Sequence, residues 1–420
     1  MGGHDHGHGP GELTPIEAYL DIIAGTVRPL EPSRLELADA EGGVLAEDVT
    51  AAASLPPFDN SGMDGYAVVA SDVLDASDSS PVSLPVTAEI AAGDVNSYRL
   101  APGTAMKIMT GARMPDGADA VVQVEFTDGG AERVMVTRPV ASGTAVRRAG
   151  GDARAGDVLL SAGARMKPMH IAVAASAGRS AVLVRPRPRV VVLATGDELT
   201  EPGTPLVPGR IWDSNSYMLA ALVREAGAFA VRRSVVPDDV GGVLPALLGQ
   251  LADADLVITT GGVSMGGSHD VVKAALASLG TVSFRKVAMQ PGMPQGFGVL
   301  DSVPLFTLPG NPVSAYVSFQ LFVRPALAFL QGADDLRLPV VSAVLSSPVR
   351  SPAGRRSYLR GVLPSGASGA LGVSGGSVEP LTGQGSHQVA SLGRANALII
   401  VPEKETQLPA GDTVDVVVLP

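Results

Sequence analysis

The chain has 420 residues, a formal net charge of −11 and no cysteine, so disulfides, thiolate metal sites and a cysteine nucleophile are excluded. The acidic balance disfavours a lasting complex with a nucleic-acid backbone. Hydrophobic residues at 45% suffice for a globular core, and Gly and Pro, about a fifth of the chain, favour short elements and many turns over a long helical bundle.

Residues 1–12 are rich in Gly and His (His4, His6, His8) and read as a disordered tail rather than a metal site. From 13 to 25 the apolar residues Ile16, Leu20 and Ile23 recur at helical spacing behind a Thr14-Pro15 start. From about 35 to 185 short β-branched runs are broken by Gly, Pro and Asp, which predicts small β-rich modules. From 189 to 330 strand-like runs (189–194, weakly 231–236, 256–260, 281–288, 304–308) alternate with helix-like runs (216–225, 240–251, 270–279, 312–330). Such alternation predicts a parallel sheet with helices on both faces. After 332 the texture is β again, as a small barrel or sandwich. The longest uncharged stretch, 302–323, carries Pro304, Pro309 and Pro312 and reads as no membrane helix. No apolar signal opens the chain, and the expectation is a soluble cytoplasmic protein with no membrane or nucleic-acid partner.

The informative residues follow the predicted strands of the α/β segment. Thr195-Gly196-Asp197-Glu198 follows the first, Gly261 to Gly267 another, and Pro309-Gly310-Asn311-Pro312 the last. Open α/β sheets bind ligands outside the carboxyl ends of their strands, so the three loops predict a site for a polar or anionic ligand. Neither the dinucleotide glycine motif nor the phosphate loop is present. Among the acids, Glu198 and Asp270 are candidates for Mg²⁺, which uses one or two carboxylates plus substrate oxygens. Asp213 and Asp270 also suit the start of a helix, and both roles stay open for them. Trp212, the one tryptophan, either stacks on a ligand ring or packs beside the strand end.

Eight stretches occur in order: PPFDNSGMDGYAV (56–68), KIMTGARMPDGADAVVQVE (107–125), RRAGGD (147–152), LATGDEL (193–199), WDSNSYML (212–219), TTGGVSMGGSHD (259–270), QPGMPQGFG (290–298) and LPGNPVSA (308–315). Together they resemble the molybdopterin molybdenumtransferase family, the MoeA proteins and the gephyrin E domain. The resemblance implies an enzyme that accepts adenylylated molybdopterin, inserts molybdate and releases AMP with Mg²⁺. It implies a homodimer, and possible contact with an upstream adenylyltransferase and with recipient molybdoenzymes. The implied domains are a central α/β molybdopterin-binding domain (13–34 and 185–332) and a linking domain (35–53 and 155–184). A β-rich insertion domain (54–154) and a C-terminal β barrel (333–420) complete the chain.

Carried over by position, the implied catalytic residues are Asp59, Thr110, Asp152, Glu198, Asp213, Asp270 and Lys286. The implied substrate-binding residues are Arg147, Gly262, Ser264, Pro309, Asn311, Ser314, Arg360 and Ser386, and the metal pair is Glu198 and Asp270. One departure stands out: Gln290 and Met293 occupy positions where many members of the family carry lysine (KPGKP). A divalent oxyanion requires positive charge or several N–H donors. The alternative to an enzyme is therefore a pterin-binding scaffold or carrier with little turnover.

Overall fold

The computed structural model describes residues 13–233, 240–262, 273, 276, 280–333, 337–364 and 376–420. The chain divides into two compact units. One comprises Arg34–Glu41 and Leu45–Val184, the other the rest of the chain.

The first unit is β-rich. Strands β1 (Gly65–Val68), β2 (Val82–Ile90), β3 (Ala105–Ile108), β4 (Ala120–Gln123) and β5 (Arg133–Val136) form one sheet in the order β4-β1-β3-β2-β5. Side chains alternate across a strand, and here both faces are covered. Tyr66 and Val68 of β1 enter one apolar cluster with Val122 and Val134, while Ala67 enters another with Ile108 and Val121. Gly65 is required because a β-carbon there would lie 2.0 Å from the Val122 carbonyl oxygen. A further cluster gathers Leu45, Val49 and Val182 beneath the helix Pro168–Ser176.

The second unit begins with α1 (Ile16–Thr26) and contains a six-stranded sheet. Its strands are β6 (Arg189–Ala194), β7 (Phe229–Arg232), β8 (Leu256–Thr260), β9 (Val282–Lys286), β10 (Pro294–Leu300) and β11 (Val303–Leu308), in the order β7-β6-β8-β11-β10-β9. Strands β7, β6, β8 and β11 are mutually parallel. Strand β10 runs antiparallel to both β11 and β9, which corrects the expectation of a purely parallel sheet. The sequence hides this strand because its approach to neighbours needs glycine. A β-carbon on Gly298 would fall 2.1 Å from the Thr281 carbonyl oxygen. Of the weak strand expected at 231–236, residues 231–232 belong to β7, which begins earlier at Phe229, and 234–236 lie outside the described residues.

The sheet is buried on both faces, as the unbroken apolar runs of β6 and β8 imply. Val190, Val192, Ile258 and Phe306 pack on α1, on α2 (Asn215–Glu225) and on the helical run after β11. Val191, Leu193, Val257 and Leu305 pack instead on Leu247 and Leu251 of α3 (Val240–Leu251). The expected continuous helix over 312–330 is α4 (Pro312–Ser318), a π-helical stretch Phe319–Val323, and α5 (Arg324–Gln331). The run Pro312–Gln331 has the length and apolarity to cross a membrane, but 83% of it is buried as core of this unit.

The end of the chain forms strands β12 (Val340–Leu345), β13 (Arg356–Val362), β14 (Gly376–Pro380), β15 (Ala397–Val401) and β16 (Thr413–Val418). They pair round a ring, β13-β14-β12-β16-β15-β13, so the structure is a barrel rather than a sandwich. Leu345, Leu359, Val378 and Val416 fill it. Tyr358, Leu398 and Val417 belong instead to the α/β core, so the barrel is packed against that layer. The pair Met289–Gln290 adds in parallel to Arg356 and Ser357 of β13. This pairing brings the turn after Gln290 beside the barrel.

Candidate functional site

Because β6, β8 and β11 are parallel, their carboxyl ends share one edge. There the residues after β6 (Thr195-Gly196), after β8 (Gly261-Gly262) and after β11 (Pro309 to Asn311) border a cleft of ≈ 490 Å³. The turn 290–294 and the barrel residues Arg355 and Ser386 form its other walls.

Asn215, the first residue of α2, ties the floor together. Its side-chain amide donates to Thr260 Oγ1 (2.9 Å) and to the Gly310 carbonyl (2.7 Å). Thr260 Oγ1 in turn donates to the Pro309 carbonyl (3.3 Å). The loops after β8 and β11 are thereby fixed to each other and to α2. Gly261 (φ +103°) has no room for a side chain, since a β-carbon would lie 2.4 Å from the Thr195 carbonyl oxygen. Behind this floor, Thr195 Oγ1 and Asn215 Oδ1 are buried without a hydrogen-bond partner among the described residues. Such atoms leave capacity for an ordered water or a ligand.

The turn at 290–294 is held from beneath. Buried Gln295 donates to the Gly292 carbonyl and to Ser318 Oγ, both at 2.6 Å. On the barrel side, Asn311 donates to Ser386 Oγ (3.0 Å), and the Val313 amide donates to the Ser386 carbonyl (3.1 Å). Arg360 is only 1% exposed and donates to the carbonyls of Gly383 and Gly385, which hold the Ser386 loop. Burial pulls its guanidinium below the usual arginine range.

The structure brings Glu198, Gly262, Pro309, Asn311, Ser314 and Ser386 to the cleft wall. It places Arg360, Lys286 and Asp213 elsewhere. Arg360 lies behind the 383–385 loop and does not line the cleft. Lys286 ends β9 opposite Pro294, half-buried and also outside the lining. Asp213 is buried and accepts from both the Ser216 amide (3.0 Å) and the Ser216 hydroxyl, 3.9 Å from Arg232. Those bonds satisfy the start of α2, and Asp213 is not among the residues that line the cleft. Ser264 and Asp270 lie outside the described residues. No group of three His, Asp or Glu suited to a metal occurs among the described residues. Trp212 is half-exposed, and its indole N–H donates to the Thr204 carbonyl (2.9 Å), which favours packing on its own loop.

The remaining expected residues gather on the β-rich unit. Asp59 accepts from the Ala149 amide (2.8 Å) and from Arg148 (2.6 Å), and these hold its carboxyl below the usual carboxylate range. Arg147 pairs with Asn60 and donates weakly to the Gly62 carbonyl (3.4 Å). The Thr110 amide and hydroxyl both donate to Asp64 Oδ1 (2.6 and 2.8 Å), which also depresses that carboxyl. Asp152 is exposed, with its amide bonded to the Leu55 carbonyl. Three motifs far apart in sequence thus form one polar surface, beside exposed Phe58 and Met63.

Sequence reasoning missed Asn215, Gln295 and Arg355. Asn215 stands inside the quoted WDSNSYML stretch, yet only contact shows that it braces two loops. Arg355 belongs to no quoted stretch and reaches the cleft through barrel closure.

Comparison with known proteins follows the same architecture. Residues 14–178 match the MoeA N-terminal region (domain I and II), 191–328 the probable molybdopterin binding domain, and 342–419 the MoeA C-terminal region (domain IV). The chain is 44% identical over 410 residues to molybdopterin molybdenumtransferase 2 of Mycobacterium tuberculosis, covering 96% of this chain and 99% of that protein. It is 36% identical to the molybdopterin molybdenumtransferase of Bacillus subtilis, covering 96% and 94%. A crystal structure of the molybdopterin biosynthesis MoeA protein from Pyrococcus horikoshii superposes with a TM-score of 0.77 at 30% identity, covering 97% of this chain and 99% of that one. With these relatives spanning its full length, and with three strand-end loops and a barrel loop meeting at one cleft, the chain belongs to the molybdopterin molybdenumtransferase family.

Proposed function

We propose that this chain transfers molybdenum to molybdopterin. It accepts the adenylylated pterin in the cleft, places molybdate at the dithiolene and releases AMP, the last stage of molybdenum cofactor assembly. The observation that carries this reading is the meeting of the Gly261-Gly262, Pro309–Asn311 and Ser386 loops around one polar cleft. Backbone at Gly196, Gly261 and Gly262 has no side chain to hold a phosphate chain away, so its polar groups reach the ligand directly.

The balance of the reaction suits a chain without thiols. Two dithiolene sulfurs of the substrate form the bonds to molybdenum, and one oxide ligand departs as water with the two dithiolene protons. Water also cleaves the phosphoanhydride, leaving AMP and the pterin phosphate. Glu198 presents the carboxylate of the described cleft wall. The hydroxyls of Ser314 and Ser386 also line the cleft, and oxygen donors of this kind are the ones that Mg²⁺ takes. Glu198, with Asp270 as expected second ligand, would hold that ion, which supplies charge neutralisation at the phosphates. Asn215 and Gln295 keep the walls in place, and Asn311 with Ser386 closes the rim.

Two chains form the working enzyme in this proposal. The surface with Asp59, Thr110, Arg147 and Asp152 of one copy completes the cleft of its partner, and the exposed side chains of Phe58 and Met63 provide apolar contact area. The four-domain division expected from the sequence belongs to the same proposal.

The test is AMP release by the purified protein from adenylylated molybdopterin. Release that requires molybdate and falls about a hundredfold or more in Glu198→Ala supports the reading. Tight pterin binding with no molybdate-dependent AMP replaces it with the carrier.

A further inference from the structure

The charge of the cleft is sparse. Among its described lining residues the charged side chains are Glu198 on the sheet side and Arg355 on the barrel side. Residues 263–272, which follow Gly262 and lie outside the described residues, contain no Lys or Arg in their sequence. Lys286 and Arg360 lie outside the lining. The turn at which the family resemblance implies two lysines offers Gln290 and Met293 instead, and both line the same cleft.

Among the described residues Arg355 has no ion pair. Its neighbour Arg356 takes the carboxylates, Glu17 at 2.7 Å and Glu403 at 2.8 Å. Arg355 makes one long contact, from Nη1 to Gln290 Oε1 at 3.4 Å. A neutral amide leaves the guanidinium charge uncompensated but fixes where it points. The pairing of Met289–Gln290 with Arg356 and Ser357 sets that juxtaposition in the backbone.

From this arrangement we infer that Arg355 is the specificity-determining cation of the cleft, holding a tetrahedral divalent oxyanion, the molybdate substrate, in the role that a lysine-bearing turn would fill. The inference rests on the proposed transferase reading and adds to it one residue and one ligand. A planar guanidinium presents two parallel N–H donors to two oxygens of such an anion, which a lysine does not. Gln290 suits this role better than lysine does, because a cation there would repel Arg355 at contact distance. Met293 contributes no charge, so the oxyanion site depends on Arg355.

The test titrates sodium molybdate, and separately AMP, into the full-length protein by calorimetry. Arg355→Ala is expected to weaken molybdate about tenfold or more and AMP by a smaller factor, since AMP also keeps its contacts with the glycine loops. Arg355→Lys is expected to fall between the two, since it keeps charge and loses the paired donors. Arg355→Ala combined with Gln290→Lys is expected to regain most of the lost affinity, because it returns charge from the opposite wall. Should Arg355→Ala fail to fold, judged by circular dichroism, Arg355→Gln serves in the same comparison. Molybdate binding in either variant equal to wild type overturns the assignment while AMP binding keeps the cleft reading intact. Wild type that binds AMP but no molybdate at millimolar concentration also overturns it. Wild type that binds neither overturns the transferase reading itself.

Discussion

The carboxylate of Glu198 is folded over the backbone of Gly196, so close that a β-carbon on Gly196 would lie 2.6 Å from Glu198 Oε2. Gly196 has φ +149°, a conformation that L side chains rarely adopt. The loop after β6 therefore aims its acid by means of a residue with no side chain. Gly196→Ala is expected to displace Glu198 and lower the rate of AMP release about tenfold to a hundredfold. The strain costs about 1–3 kcal/mol, so the variant remains folded. Steady-state kinetics with thermal unfolding checks this; an unchanged rate would remove Glu198 placement from the account.

The floor behaves as a bonded unit. Asn215→Ala removes one buried and one part-buried hydrogen bond and is expected to cost about 2–3 kcal/mol, whereas Thr260→Ser keeps the hydroxyl and loses only a buried methyl, at about 1 kcal/mol. Thr260→Val breaks the same chain of bonds from the other side. The double variant Asn215→Ala with Thr260→Val is expected to lose less than the two single losses added. Denaturant unfolding measures each; strict additivity would mean that the two residues act separately.

Much of this architecture is legible in the sequence, for a physical reason. Strands buried on both faces carry unbroken apolar runs, here 190–194 in β6 and 256–258 in β8, so both strands can be located from residues alone, as can α3. Strand β10 is not legible, because Gly296 and Gly298 earn their place through close approach to Phe284 and Thr281 rather than through apolar packing. The site divides in the same way. Strand-end glycines and Glu198 announce themselves by position after a strand. Asn215, Gln295 and Arg355 do not, since their partners are 95, 23 and 65 residues away in sequence. Asp213 shows the opposite effect: an acid in a quoted motif is occupied by the first turn of α2.

Asp59 offers a pH prediction. The Ala149 amide and then Arg148 hold its carboxyl below the usual range, so the folded chain favours the ionised form. That contribution is present above the unfolded value, near pH 4, and is lost as pH falls through the lower folded value. The β-rich unit of wild type is therefore expected to lose stability more steeply below about pH 4 than that of Asp59→Asn. Carboxyl titration followed by NMR is the check; a midpoint for Asp59 at or above the ordinary value would contradict it.

The paired-subunit proposal predicts complementation. Asp59→Ala and Glu198→Ala are each expected to be nearly inactive as pure proteins. Mixed and allowed to exchange subunits, they form hybrids with one intact cleft, and about a quarter of wild-type activity is expected. No recovery after demonstrated exchange would place Asp59 with the cleft of its own chain or outside the chemistry.

The most direct test of the cleft is a crystal structure of the protein with adenylylated molybdopterin bound. The account predicts density for the phosphates against Gly261 and Gly262, within reach of Asn311 and Ser386 and beside Glu198. Density for the nucleotide at any other surface, with this cleft holding solvent alone, would contradict it.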